Sequence, residues 1–206
     1  MIMEKNMAEL FWEDSYADFE VSTFGKPSKE IVDMAKILSY GAEVLDIGTG
    51  EGRNAIFVAD KGLKVDAFDM LPNGIKKLNY ISEKLGVNVN SFVCNIVDYQ
   101  YPKKYDLIIA HGVLQFINIE LRNKCISDMK EHTKLGGYNI IVIFTDVEKI
   151  PEDLAEAMVG VFQEGEIKEY YNDWEIVDYQ SYIFRDEHVN GIKHTHSVNK
   201  LIVKKV

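Results

Sequence analysis

Apolar positions recur along this 206-residue chain at two spacings, every second residue and every third or fourth, and the two alternate. Residues 43–47 (Glu-Val-Leu-Asp-Ile) have strand character and run into a loop with glycine at every second place, Gly48, Gly50 and Gly52. Ala55, Ile56, Val58 and Ala59 then follow at helical spacing, so the stretch predicts strand, tight turn and helix. Residues 63–69 read as a strand, 72–85 as a helix closed by Gly86, and 87–94 and 105–111 as further strands, the latter apolar enough for burial on both faces. A helix over 117–132, a turn at Gly136-Gly137 and a fifth strand over 138–144 continue the series. Ahead of the first strand, residues 6–20 carry Leu10, Phe11, Trp12, Tyr16 and Phe19 among acids, and 22–28 breaks that pattern. Ser28 is placed to cap a helix with Ile31, Val32, Ala35 and Leu38 on one face, ending near Gly41.

The last third departs from this rhythm. A helix over 164–171 leads to strands at 174–184 and 192–203 joined at Asn190-Gly191, the signature of an antiparallel hairpin. Strands separated by helices imply right-handed crossovers and a parallel sheet covered on both faces. The expected class is α/β: a three-layer, doubly wound, seven-stranded, mostly parallel sheet with a C-terminal antiparallel hairpin. The expected organisation is a single domain, with 1–40 as an N-terminal helical cap and 41–206 as a cofactor-binding core.

The glycine loop is the first candidate for chemistry. Without Cβ atoms the backbone can pass close to a ligand, while the next helix presents unpaired N–H groups and a positive dipole end. A dinucleotide loop reads G-x-G-x-x-G, but counting from Gly48 puts Arg53 where the third glycine belongs. An acid two residues before the first glycine, Asp46, suits a cationic partner such as the amino group of a methionine-derived cofactor. A nicotinamide or flavin cofactor, or a glycine turn with only a packing role, are the alternatives. Asp69, ending the second strand, can accept hydrogen bonds from two ribose hydroxyls, and Met70 can pack on an adenine face. These positions share the carboxyl ends of strands, where open α/β sheets bind ligands.

Charge and cysteine content narrow the partners. The 33 acids against 23 bases give a net charge of −10 and argue against a nucleic-acid substrate. Cys94 and Cys125 lie in apolar surroundings without a C-x-x-C motif and read as reduced and buried. No stretch reaches 18 uninterrupted apolar residues, so the expectation is a cytoplasmic protein that does not engage a membrane. His194 and His196 alternate onto one strand face and, with His188, invite a metal reading. A third ligand of fixed geometry is not specified, and no metal is expected.

The pattern Asp46-x-Gly48-x-Gly50-x-Gly52 resembles the motif of the class I S-adenosylmethionine-dependent methyltransferases, whose Rossmann-like fold also ends in a hairpin. Phe11-Trp12-Glu13-Asp14-Ser15-Tyr16, the Arg53-Asn54 pair, Leu135-Gly136-Gly137-Tyr138-Asn139, Phe162-Gln163-Glu164-Gly165-Glu166 and Tyr170-Tyr171-Asn172-Asp173-Trp174 resemble the tellurite-resistance (TehB-type) branch. The similarity runs from residue 11 to near the end. It implies methyl transfer from S-adenosylmethionine, leaving S-adenosylhomocysteine, to a small soft nucleophile: a tellurium or selenium oxyanion, a thiol or a similar small molecule. It also implies cofactor contacts from Asp46, Gly48, Thr49, Gly50, Arg53, Asn54, Asp69 and Met70. Asn95-Ile96 falls where the family reads the adenine amino edge, and residues 110–116, with His111, form the rim facing the reacting methyl. Tyr16 is a candidate to close over the cofactor, with a packing role in the N-terminal segment as the alternative.

The family carries a His-Arg pair and a further basic residue near its last hairpin turn. With the turns aligned, Arg185 takes the histidine's place, Asp186 the arginine's and Lys193 that of the later base. Arg185 is thus the candidate for acceptor binding. A sulfonium loses its charge as the methyl moves, so transfer to a soft lone pair asks for alignment and dryness more than for acid or base. For an acceptor that must shed a proton, His111 is the candidate base. The competing reading is a non-catalytic module that senses S-adenosylmethionine. The oligomeric state, monomer or homodimer, stays open.

Overall fold

The computed structural model describes residues 12–23, 25–152, 154–187 and 193–206. Leu10, Phe11, His188, the expected turn at Asn190-Gly191 and Ile192 lie outside the described residues.

Strands β1 (Glu43–Ile47), β2 (Lys64–Asp69), β3 (Val89–Val93), β4 (Tyr105–His111) and β5 (Thr133–Phe144) pair in parallel. The hairpin strands β6 (Glu175–Glu187) and β7 (Lys193–Lys204) complete a seven-stranded sheet of order β3-β2-β1-β4-β5-β7-β6, with β7 antiparallel to both neighbours. The helices are α1 (Lys29–Met34), α2 (Arg53–Asp60), α3 (Pro72–Leu85), α4 (Ile119–Glu131) and the single turn α5 (Ile167–Tyr170).

Period-two alternation in the strands sorts the core into two layers. Val44, Leu107, Ile109, Ile140 and Ile202 point to one face, where Ile31 and Met34 of α1, Ala55 and Val58 of α2 and Leu78 of α3 cover them. Leu45, Ile108, Ile141, Leu201 and Val203 point to the other, against Cys125, Ile126 and Met129 of α4 and Ile167 of α5. Strand identity and order of elements agree with the sequence reading; several boundaries do not. Helix α1 stops at Met34, and the Ser28 hydroxyl does not cap it, because that oxygen sits 3.0 Å from His111 Nε2 instead. The Gly136-Gly137 turn is an excursion inside β5, whose pairing with β4 jumps from Tyr105–Thr133 to Leu107–Tyr138. The helix expected over 164–171 shortens to α5 because Glu164 and Glu166 are drawn into side-chain bonds with Asn199 and Arg122.

Cys94 is half-buried rather than buried, Cys125 is buried, and both are free thiols whose pKa burial raises. Among the described residues no helix is long and apolar enough to cross a membrane.

Candidate active site

From β1 the chain winds outward through β2 to β3, then returns to place β4 on the other side of β1. Such a reversal, beyond the carboxyl ends of β1 and β4, is the place where sheets of this kind take ligands. The loop between β1 and α2 lies there. Gly48, with φ 65°, has Val113 from the end of β4 pressed on it, so an added Cβ would fall 2.6 Å from Val113 Cγ2. Gly50, with φ 56°, lies under Tyr16: its Cβ would meet the phenol oxygen at 2.6 Å. A Cβ on Gly52 would strike Leu78 of α3, so that glycine serves close helix packing rather than a ligand.

Two carboxylates stand at the strand ends. Asp46 is buried at the end of β1 and accepts from Thr49 Oγ1 at 2.8 Å. Burial pushes its carboxyl up to about 7, against the opposing pull of the Thr49 hydroxyl, the Arg53 charge and the Ala55 N–H. A carboxylate so starved of solvation is suited to a bound cation. Asp69, buried at the end of β2, accepts from Gly50 N and Leu71 N, each at 2.9 Å, and burial raises its carboxyl despite these bonds. The Met70 N–H also lowers it, and the lone pairs that remain can accept from a ribose hydroxyl. Arg53 opens α2 and faces the charges of Asp46, Glu30 and Glu51, a position from which a guanidinium can hold a ligand carboxylate.

Residues 12–23 and 25–28 form a strap over this loop. Its anchor is an ion pair between Glu51 and Lys77, 2.8 Å apart and sealed from solvent. Glu51 also takes hydrogen bonds from Ser22 Oγ and Thr23 N, and Lys77 donates to Val21 O at 2.6 Å. Asn54 accepts from Ser28 N at 3.0 Å, so its amide oxygen ties down the strap. Tyr16 is buried, and burial, with the Asp69 and Glu51 charges, raises its phenol.

The remaining candidates divide. Met70 is exposed beside Asp69, and Ile96 is half-buried in the core cluster that holds Phe68 and Phe92. Asn95 is exposed and its Oδ1 accepts from Val97 N at 3.2 Å, capping the 3₁₀ turn Ile96–Asp98. His111 ends β4 with Nε2 3.1 Å from Glu30 Oε1. Arg185 is not brought to this group. Val142 is level with His111 and pairs with Lys200, which faces Gln180. Arg185 lies further along β6, roughly 16 Å beyond that level on an extended strand, and on the outer edge.

Sequence reasoning missed Glu30, Lys200 and Lys77. Lys200 Nζ lies 4.0 Å from Glu30 Oε2 and 3.6 Å from Asp178 Oδ2. No local signal marks them, because separate elements converge only in the fold. The Phe162–Trp174 block, by contrast, does structural work on the opposite face. Arg122 of α4 stacks on Phe162 at 3.8 Å, bonds Gly160 O and pairs with Glu166. Buried Tyr171 accepts from Asn139 Nδ2 at 2.9 Å. His194 and His196 are buried edge to face in β7, 5.5 Å between ring centres, and no three-residue metal cluster occurs among the described residues.

Comparison with known proteins adds the following. The family model described as "Tellurite resistance protein TehB" matches residues 10–198. A Haemophilus influenzae protein named "Probable S-adenosyl-L-methionine-dependent methyltransferase TehB" is 37% identical over 168 residues, which are 80% of this chain and 58% of that protein. The crystal structure of TehB from Haemophilus influenzae superposes with a TM-score of 0.78 at 33% identity, covering 87% of this chain and 62% of that one. The N-methyltransferase NodS from Bradyrhizobium japonicum, solved with S-adenosyl-L-homocysteine, shares the fold at 12% identity, with a TM-score of 0.73 over 97% of this chain and 99% of that one. The chain thus spans under two thirds of the length of the curated relatives that head the comparison.

Proposed function

The chain belongs to the TehB family, and on that premise we propose that it moves a methyl group from S-adenosylmethionine to a small soft nucleophile, a tellurium or selenium oxyanion or a thiol. The observation that carries this reading is the pair of buried carboxylates, Asp46 and Asp69, bracketing one glycine loop at the topological switch. The residues present fit the cofactor. Asp46 suits the amino group, Arg53 the carboxylate, and Asp69 the ribose hydroxyls, while Met70, Ile96 and Asn95 line the side on which adenine belongs. When bound, the cofactor supplies an activated methyl on a sulfonium. The chain's part is to hold that group beside the rim at His111 and Val113 and to keep water out with Tyr16 and the strap.

A screen with labelled methyl donor against selenite, tellurite, small thiols and amines tests the reading. Transfer to at least one acceptor is expected, and binding of S-adenosylhomocysteine without any turnover would favour a sensor module instead. Arg185 is exposed on the far end of the hairpin. Its proposed part is to attract anionic acceptors over a distance rather than to hold them. Arg185→Ala should lower kcat/KM for an anionic acceptor at low salt and leave a neutral one unchanged; equal effects on both would remove this part.

A further inference from the structure

Glu30 and Ser28 meet His111, and groups from three further elements gather around Glu30. Glu30 and Ser28 approach from α1 and its entry, Lys200 from β7, and Asp178 and Tyr182 from β6; Arg53 of α2 faces Glu30. Burial alone would raise the Glu30 carboxyl. Its hydrogen bond with His111, its own backbone N–H, the charge of a protonated His111 and the Lys200 charge outweigh that and hold it below the usual range. Glu30 is therefore an ionised acceptor, and its 3.1 Å contact with His111 Nε2 requires a hydrogen on that nitrogen. In the neutral ring the lone pair is then on Nδ1. Among the described residues, both hydrogen bonds of His111 run through Nε2, so in this tautomer the Ser28 oxygen accepts from the same N–H as Glu30.

We propose that Glu30 is a positioning residue that locks His111 in the Nε2–H tautomer, so that Nδ1 takes the proton of a neutral X–H acceptor, a thiol above all, as it is methylated. This deepens the methyl-transfer reading and rests on it. The X–H bond breaks, its proton passes to Nδ1 and its electron pair forms the X–CH₃ bond. The pair of the broken CH₃–S⁺ bond stays on sulfur, which leaves as a neutral thioether. The imidazolium donates to Glu30 and later returns its proton to solvent. Charge favours a neutral guest here: Lys200 is shared between Glu30 and Asp178, and Arg53 among Asp46, Glu30 and Glu51. Lys200 is thus held between two carboxylates, and Arg53 is the group assigned to the cofactor's own carboxylate, so neither is left to an oxyanion acceptor. An orienting carboxylate behind an imidazole is the arrangement by which general bases are commonly held in one tautomer.

Two measurements on the full chain test this. Long-range ¹H–¹⁵N NMR without cofactor, at a pH where the ring is neutral, should show His111 as the Nε2–H tautomer, and Glu30→Ala should turn it into a mixture. A wild-type ring in the Nδ1–H form overturns the proposal. Kinetics should then compare an alkyl thiol with an aromatic thiol already ionised at neutral pH. His111→Asn should slow the alkyl thiol about 100-fold and the aromatic one hardly at all, with the alkyl rate recovering about tenfold per pH unit as solution thiolate accumulates. Glu30→Ala should show the same split, smaller. Equal losses on both thiols, or wild-type methylation of selenite but not of the alkyl thiol, overturn this proposal alone. A wild-type protein that binds S-adenosylhomocysteine yet methylates no acceptor overturns the methyl-transfer reading and this one with it.

Discussion

Asp46 is held in the site against the cost of its own burial. Its carboxyl is raised to about 7 by burial, whereas in the unfolded chain it titrates near the ordinary value of about 3.9. Between these pH values the folded state holds a proton that the unfolded state has released, so stability falls as pH rises through that window and the cost is complete above about 7. A bound ammonium offsets it. Asp46→Asn keeps an oxygen for Thr49 and removes the charge, so its melting temperature at pH 8 should exceed the wild type's by a few degrees. The same substitution should cost cofactor affinity. In the wild type, affinity for S-adenosylhomocysteine should weaken toward tenfold per unit as pH drops below about 7, and in Asp46→Asn this dependence should vanish. A pH-independent wild-type affinity would show that Asp46 does not face the ligand's cation.

The strap depends on one buried ion pair. Glu51 lies in the glycine loop and Lys77 on α3, far apart in the sequence, yet together they are sealed from solvent beneath the strap. Losing one partner of such a pair leaves an unpaired buried charge, which costs about 3–5 kcal/mol unless the covering segment lifts off. Lys77→Met should therefore either lower stability by that order or make residues 12–28 susceptible to limited proteolysis, with weaker cofactor binding in both cases. Retained stability, protection and affinity would mean that the strap is held elsewhere. The contrast with β1 and its loop shows what was legible. Strand, glycine spacing and helix onset are local signals, and they placed Asp46, Gly48, Gly50 and Asp69 together as expected. The pairing of Glu30 with His111 and Lys200, and the diversion of Ser28 from its cap to His111, arise only when α1, β4 and β7 meet. The block from Phe162 to Trp174 was the more specific mark of resemblance, and its residues hold α4 and α5 against the sheet instead of touching the site.

At the scale of the molecule, the sheet order decides the site. Because the chain reverses between β1 and β4, the carboxyl ends of β1, β2 and β4 converge and leave Asp46, Asp69 and His111 around one site. The hairpin β6–β7 widens the sheet beyond β5 and brings Lys200 to Glu30, a placement that the alternating pattern of the first five strands could not announce. The central claim is that this site holds the methyl donor by its two carboxylates. Isothermal titration of S-adenosylhomocysteine into the full chain and into Asp69→Ala tests it most directly. The expected result is one-to-one binding by the wild type and a loss of about 1–3 kcal/mol, roughly 5- to 150-fold in Kd, in the variant. No binding by the wild type, or equal affinity in both proteins, would contradict it.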